Sequence, residues 1–418
     1  MSLLDELQKE SELAQKDNGI KITADSFDED RIPILVGEIF TEAIKKHASD
    51  IHFKPLEEKL MVYFRVDGQI LLHKEFEKIF HHPIIARIKI ISGLKTDEHR
   101  LAQDGKSDFS LDGKEVDLRV SVLPTNFGEK VVIRLLEKSP TLAQLRDLGM
   151  LPNILLKVEK HLKANYGMIL AVGPTGSGKS TSLFSMISTF DATTYNISTL
   201  EDPIEYKIPN VTQTQINTEI GLDFSDGLRT LVRQDPDIIM VGEIRDQKTA
   251  SLAIESALTG HLVFSTLHTN SAVGTIQRLL NMEIDRFLIS AAVKLIISQR
   301  LVKKICNYCR EKYEIPKKYH DLLRQEIGVD PEKDFFYHAK GCEKCNNLGY
   351  KGRIGLFEVL EMSPAIEEMI VKNASNQEIE NQAVKEGMTL IKKDALYKAV
   401  TGDITIEEAL RAMGLNSI

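Results

Sequence analysis

Tryptophan is absent from this 418-residue chain, and cysteine occurs only four times. Lysine and arginine total 53 against 61 aspartates and glutamates, a net charge of −8. A general nucleic-acid binder needs a basic surface and stacking aromatics, so both shortages argue against one. No apolar run reaches the ~18 residues of a membrane span. The nearest, residues 287–298, is interrupted by Lys294, and no hydrophobic leader stands at the N-terminus. These absences point to the cytosol, where ATP and reduced thiols are available. The rest of the composition, 42% hydrophobic and 27% charged, is that of an ordinary globular chain long enough for two or three domains.

The most specific local signal is Gly173-Pro174-Thr175-Gly176-Ser177-Gly178-Lys179-Ser180, followed by Thr181. The apolar run 168–172 supplies the strand that such a phosphate loop must leave. Glycines let successive N–H groups turn around a β-phosphate, Lys179 places a charge on the β/γ oxygens, and Ser180 offers a hydroxyl to Mg²⁺. A helix then starts at the phosphate with its positive end facing the charge. ATP and Mg²⁺ are the expected ligands.

Texture divides the chain. Residues 1–30 read as a polar segment, an amphipathic helix and acidic linker. Residues 31–138 read as a small α+β domain: a helix over 33–46, then strands at 60–66, 116–122 and 130–136, with Asp67-Gly68 opening a hairpin. Over 139–304, strands at 168–172, 196–200, 238–241 and 262–265 alternate with helices, as in a doubly wound sheet. Each ends in polar residues, where open α/β sheets hold their ligands. A cysteine-bearing segment (305–360) and a helical tail (361–418) follow. The last helix carries a capping-box pattern, Thr405 with Glu408, and a Gly414 stop.

Several side chains carry candidate chemistry. Glu243 follows the strand 238–241 in the position of a metal-holding acid and can reach Mg²⁺ through a water. The turn Glu201-Asp202-Pro203-Ile204-Glu205 adds three carboxylates suited to orienting and deprotonating a water beside a nucleotide. His261 and His268 bracket the strand 262–265; either has the chemistry to bond a γ-phosphate, and a purely structural role is the alternative. Cys306-Asn307-Tyr308-Cys309 and Cys342-Glu343-Lys344-Cys345 read as a tetrahedral Zn²⁺ site, with disulfide pairing as the competing reading.

In order, the phosphate loop, Thr199-Leu200-Glu201-Asp202-Pro203-Ile204-Glu205-Tyr206, Asp235-Pro236-Asp237 through Glu243-Ile244-Arg245-Asp246, and Thr259-Gly260-His261 through Thr266-Leu267-His268-Thr269 resemble four boxes of the secretion ATPase superfamily. They are the Walker A, Asp, Walker B and His boxes. The resemblance is to the branch that powers type II secretion and type IV pilus assembly. Ala48-Ser49-Asp50-Ile51-His52-Phe53, Arg65-Val66-Asp67-Gly68 and Gly128-Glu129-Lys130-Val131-Val132-Ile133-Arg134 resemble that family's second N-terminal domain.

The resemblance implies an α/β fold: a RecA-like phosphate-loop domain after a small α+β, PAS-like domain, with a tetracysteine zinc segment and a helical C-terminal tail. It implies that Lys179, Ser180 and Thr181 bind phosphates and Mg²⁺, with Glu201 and Asp202 beside the nucleotide. Glu243 takes the Walker B metal position, and Glu205 activates water. His261 and His268 act as γ-phosphate sensors or in ring communication, and Arg119 and Arg134 reach over the bound ATP. It further implies a homohexamer, peripheral to the cytoplasmic face of the inner membrane. An integral platform protein would be its partner and pilin-like subunits its cargo. The tetracysteine motif favours extension or secretion over retraction. The family's first N-terminal domain, which commonly recruits the motor, has no room in thirty residues, as in some DNA-uptake systems or in a truncated chain. A competence-type DNA-uptake motor, a nucleic-acid translocase and a non-hydrolysing scaffold remain the rival readings.

Overall fold

A computed structural model describes residues 29–137, 143–329 and 336–414. All but the last two residues of the expected N-terminal polar segment lie outside this range. Contacts divide the chain between residues 140 and 141 into two compact units.

In the first unit, α1 (Ile32–Lys45) leads into β1 (Ala48–Pro55), β2 (Lys59–Val66) and β3 (Gln69–Glu77). Then come α2 (His81–Ile91), β4 (Gln103–Leu111), β5 (Lys114–Thr125) and β6 (Gly128–Glu137). The strands form one antiparallel sheet in the order β3-β2-β1-β6-β5-β4. Strict alternation explains it: Val116, Leu118, Val120 and Val122 are buried on one face, while their neighbours along β5 turn away. That face packs on Leu35, Val36, Ile39 and Phe40 of α1 and on Ile84, Ile85 and Ile88 of α2. Asp67 and Gly68 both take positive φ, 48° and 80°, as a two-residue hairpin turn requires.

The second unit runs α3 (Pro152–His161), β7 (Gly167–Val172), α4 (Lys179–Ile187), β8 (Ile197–Glu201), β9 (Thr212–Gln215), α5 (Phe224–Leu231), β10 (Ile238–Val241), α6 (Gln247–Leu258), β11 (Leu262–Leu267). It continues through α7 (Ala272–Asn281), α8 (Arg286–Ala292), β12 (Val293–Ile305), β13 (Arg310–Tyr313), α9 (His320–Ile327), β14 (Phe336–Ala339) and β15 (Tyr350–Glu361). Four helices close it: α10 (Pro364–Val371), α11 (Asn376–Lys385), α12 (Ile391–Thr401) and α13 (Ile406–Ala412). Seven strands make one sheet in the order β15-β12-β7-β11-β10-β8-β9. All its pairs are parallel except β12–β15. Strands β7, β10 and β11 are buried along their whole length because helices cover both faces, so they read as unbroken apolar runs. Residues of α5, α6 and α7 pack on one face and those of α3 and α4 on the other.

The sheet runs through the expected boundaries at 304/305 and 360/361. Strand β15 pairs with β12 from Leu295↔Glu361 to Ile305↔Tyr350. Helices α10 and α11 join the main core through Ile366, Ile370 and Ile379. Helices α12 and α13 share a smaller core with Val302, Leu323, Phe336 and Leu356. That smaller core includes Val302 of β12 and Ile354 and Leu356 of β15, so the cysteine segment and the tail both pack on the sheet. Thr405 caps α13 by accepting the Glu408 N–H, but only half of the expected capping box forms. The Glu408 carboxylate instead accepts the Lys303 N–H at 3.3 Å and pairs with Arg411.

Candidate functional site

The phosphate loop leaves the carboxyl end of β7 and delivers the chain into α4 at Lys179. Gly173 has φ of 149°, and a Cβ there would stand 2.4 Å from the Gln299 carbonyl oxygen. Lys179 is buried and donates to the carbonyls of Gly173 (3.0 Å) and Pro174 (3.2 Å), so its ammonium sits inside the loop. Burial lowers its pKa, opposed by Glu243 first and Glu205 second. Both carboxylates therefore bear on the cation of the loop. Ser177 Oγ is buried with no hydrogen-bond partner, while Ser180 and Thr181 are partly exposed on the first turn of α4.

Glu243 follows β10, the second strand from β7. One carboxylate oxygen takes Arg245 Nη2 at 2.5 Å and the other faces His268 Nε2 at 3.4 Å. Burial raises its pKa, but Arg245 and His268 outweigh burial and hold it below the usual carboxylate range. Arg245 also reaches Asp202 at 3.7 Å, joining the loops after β8 and β10. Arg245 stands within the quoted Walker B box, where the sequence assigns it no role of its own.

The acidic turn splits by role. Glu201 is 3% exposed and accepts Thr199 Oγ1 at 2.5 Å and Gln213 Nε2 at 2.9 Å. Burial raises its pKa, and it also accepts the Glu205 backbone N–H. Its carboxylate thus braces the turn that presents the exposed Glu205. Tyr206 fixes the same turn to α4: its phenol accepts from Thr181 and its ring meets Phe184 edge-on at 5.2 Å.

The two histidines separate. Leu262 pairs with Gly167 and Leu267 with Val172, so His268 lies at the carboxyl end of β11, beside the loop. His261 lies at the amino end, roughly 20 Å away along a six-residue strand at ~3.3 Å per residue. There it bonds the Ser256 carbonyl through Nδ1 at 2.9 Å. His261, expected to sense phosphate or to act in ring communication, is therefore set apart from the loop, because parallel pairing sends the two flanks of β11 to opposite ends of the strand.

Arg119 and Arg134 belong to the first unit and are direct cross-strand partners. Arg134 Nε meets Asp50 at 3.1 Å, Arg65 Nε meets the same carboxylate at 3.5 Å, and Arg119 Nε meets Asp117 at 3.7 Å. Lys106 opposite Arg119 extends this row. Its alternation places it on the face away from α1 and α2.

The cysteines assemble at the far end of β12. Pairing of Ile305 with Tyr350 brings both knuckles together despite the long excursion between them. Their sulfurs lie within 4.8 Å of one another, with Sγ–Sγ distances of 3.7, 3.9 and 3.9 Å. A tetrahedral zinc with Zn–S of about 2.3 Å needs sulfurs about 3.8 Å apart, so the donor set fits. All four are free thiols, and the disulfide alternative is not realised. Cys342 and Gly349 N–H groups donate to Cys345 Sγ at 3.2 and 3.3 Å, the kind of support a thiolate ligand receives.

A family model described as type II/IV secretion system protein matches residues 25–411. The chain is 42% identical over 380 residues to the type IV pilus assembly ATPase PilB of Myxococcus xanthus, covering 90% of this chain and 67% of that protein. It is 40% identical over 415 residues to type II secretion system protein E of Pseudomonas aeruginosa, covering 98% and 82%. Among solved structures, the pilus retraction motor PilT with bound ADP superposes with a TM-score of 0.61 at 28% identity, over 90% of this chain and 96% of that one. The ATPase DotB of Legionella pneumophila shares the fold, with a TM-score of 0.68 at 21% identity over 95% and 98%. Among the described residues no helix is long and apolar enough to cross a membrane.

Proposed function

Because this chain belongs to the type II/IV secretion system protein family, we propose that it is an ATPase motor, a homohexameric ring at the cytoplasmic face of the inner membrane. It would drive assembly of pilin-like subunits through an integral platform protein. The observation that carries this reading is the convergence of Glu243, Glu205 and His268 on the loop that holds Lys179.

Lys179 exchanges its Gly173 and Pro174 carbonyl partners for β- and γ-phosphate oxygens, and the loop N–H groups hold the β-phosphate. Glu205, held by its turn, takes the proton of the attacking water. Glu243 and Ser180 form a hard-oxygen donor pair suited to Mg²⁺. When bound, that ion neutralises charge on the phosphates. His268 sits where a γ-phosphate comes and goes. Arg119 and Arg134 supply positive charge to the transition state. The four cysteines hold one structural Zn²⁺.

The test is ATP hydrolysis by the wild type and Glu243→Gln, with and without the cytoplasmic domain of a candidate platform protein and, separately, with DNA. Activity should rise with the platform domain and fall at least ~100-fold in the variant, which still binds ATP. Stimulation by DNA alone would replace the motor with a translocase, and undiminished hydrolysis in the variant would remove Glu243 from the chemistry.

A further inference from the structure

Gln299 lies in no motif of the nucleotide site, yet it touches the phosphate loop from below. Ser298 of β12 pairs with Val172, the last residue of β7, so Gln299 stands level with Gly173, where the loop begins. Gln299 follows Leu295 and Ile297 at two-residue spacing, on the sheet face that packs against α4. The side chain is 2% exposed. Its Nε2 donates to the Ser177 carbonyl at 2.8 Å. Its backbone carbonyl is the group that leaves no room for a Cβ at Gly173, and its Nε2 lies 3.2 Å from where a Cβ of Gly178 would be.

These contacts have a directional consequence. Across a trans peptide the carbonyl and the following N–H point in opposite directions. Holding the Ser177 carbonyl against Gln299 therefore turns the Gly178 N–H the other way, into the concavity of the loop. Gly178 has φ of 88° and immediately precedes α4, so this N–H adds to the positive end of that helix. The amide orientation is set by the same bond, since a flipped Oε1 would oppose one carbonyl with another.

From this geometry we propose that Gln299 is a positioning residue of the nucleotide site, aiming the Gly178 N–H at the β-phosphate. The inference rests on the reading of the loop as an ADP and ATP site. It makes β12 part of the phosphate-binding apparatus, although the strand lies more than a hundred residues further along the chain.

The test measures ADP affinity and steady-state ATP hydrolysis of the full chain as wild type, Gln299→Met, Gln299→Asn and Lys179→Ala, with melting temperatures alongside. Methionine keeps the buried volume without the donor, and asparagine keeps an amide that falls one methylene short. Both should lose ADP affinity about ten-fold and raise KM for ATP by a similar factor. Their kcat should stay within two-fold and Gln299→Met should melt as the wild type does, an outcome that a mere packing role would not produce. Wild-type ADP affinity in Gln299→Met, or losses that simply follow the melting temperature across both variants, would overturn the inference alone. Failure of the wild type to bind ADP, with no difference from Lys179→Ala, would overturn the loop reading and this inference with it.

Discussion

At the scale of single residues, strand direction separates side chains that look equivalent in the sequence. His268 faces Glu243 and His261 faces the end of α6, so their substitutions should differ in kind. His268→Ala should slow hydrolysis by roughly ten-fold or more while leaving the fold intact, since its partner contact is half exposed. His261→Ala should leave hydrolysis within two-fold and cost about 1 kcal/mol of stability, the net worth of one hydrogen bond. Steady-state kinetics with denaturant titration of both variants checks the pair. Gly173→Ala should abolish nucleotide binding, because the added Cβ meets the Gln299 carbonyl and the backbone is held at a φ that side chains avoid; equilibrium ADP binding reads this out. Lys179, Glu205 and Glu243 were legible because each follows a short apolar strand at recognisable spacing. Gln299 and Arg245 were not, because their contacts depend on strand register and on the approach of neighbouring loops.

At the scale of elements, two polar devices hold segments that apolar patterning alone would leave loose. Strand β15 is an edge of the large sheet, and α12 covers it. Asp394 Oδ2 accepts the Phe357 N–H at 2.7 Å, and Lys398 Nζ donates to the Gly355 carbonyl at 2.7 Å. The two side chains are 2.6 Å apart and almost fully buried. Lys398→Met should cost about 3–5 kcal/mol, because it leaves a buried carboxylate unpaired. A double change of Asp394→Leu with Lys398→Met should cost less than that, and chemical denaturation decides between them. In the first unit, Glu129 is buried between Lys89 at 2.5 Å and His99 at 2.9 Å. Burial raises its pKa, yet the Lys89 and His99 contacts prevail and hold it below its ordinary 4.5. Its contribution is therefore present above pH 4.5 and fades as pH falls through the lower folded value. Glu129→Gln should flatten the acid side of the melting temperature profile below about pH 4.5. Neither device shows in the sequence, since the i,i+4 spacing of Asp394 and Lys398 does not reveal that the pair is buried.

At the scale of the whole molecule, β12 connects what the sequence separates. Its middle holds the phosphate loop and its end delivers Cys306 to the other knuckle. Metal analysis should find one zinc per chain. Chelation should lower the melting temperature and expose residues 306–349 to protease before the phosphate-loop strands; equal protection with and without chelator would remove the metal from the fold. The sequence by itself determined the small α+β domain and the doubly wound pattern, the loop with its lysine, the acids that follow strands, and the four thiols. Those follow from local periodicity and from spacing along a single segment. Only the tertiary structure decided that the cysteine segment and tail close onto the sheet, that His261 and His268 stand at opposite ends of one strand, that Glu201 is buried and braces its turn, and that Gln299 meets the loop. Each of these depends on which strands lie side by side and in what register, a pairing between distant segments that periodicity within one segment does not encode.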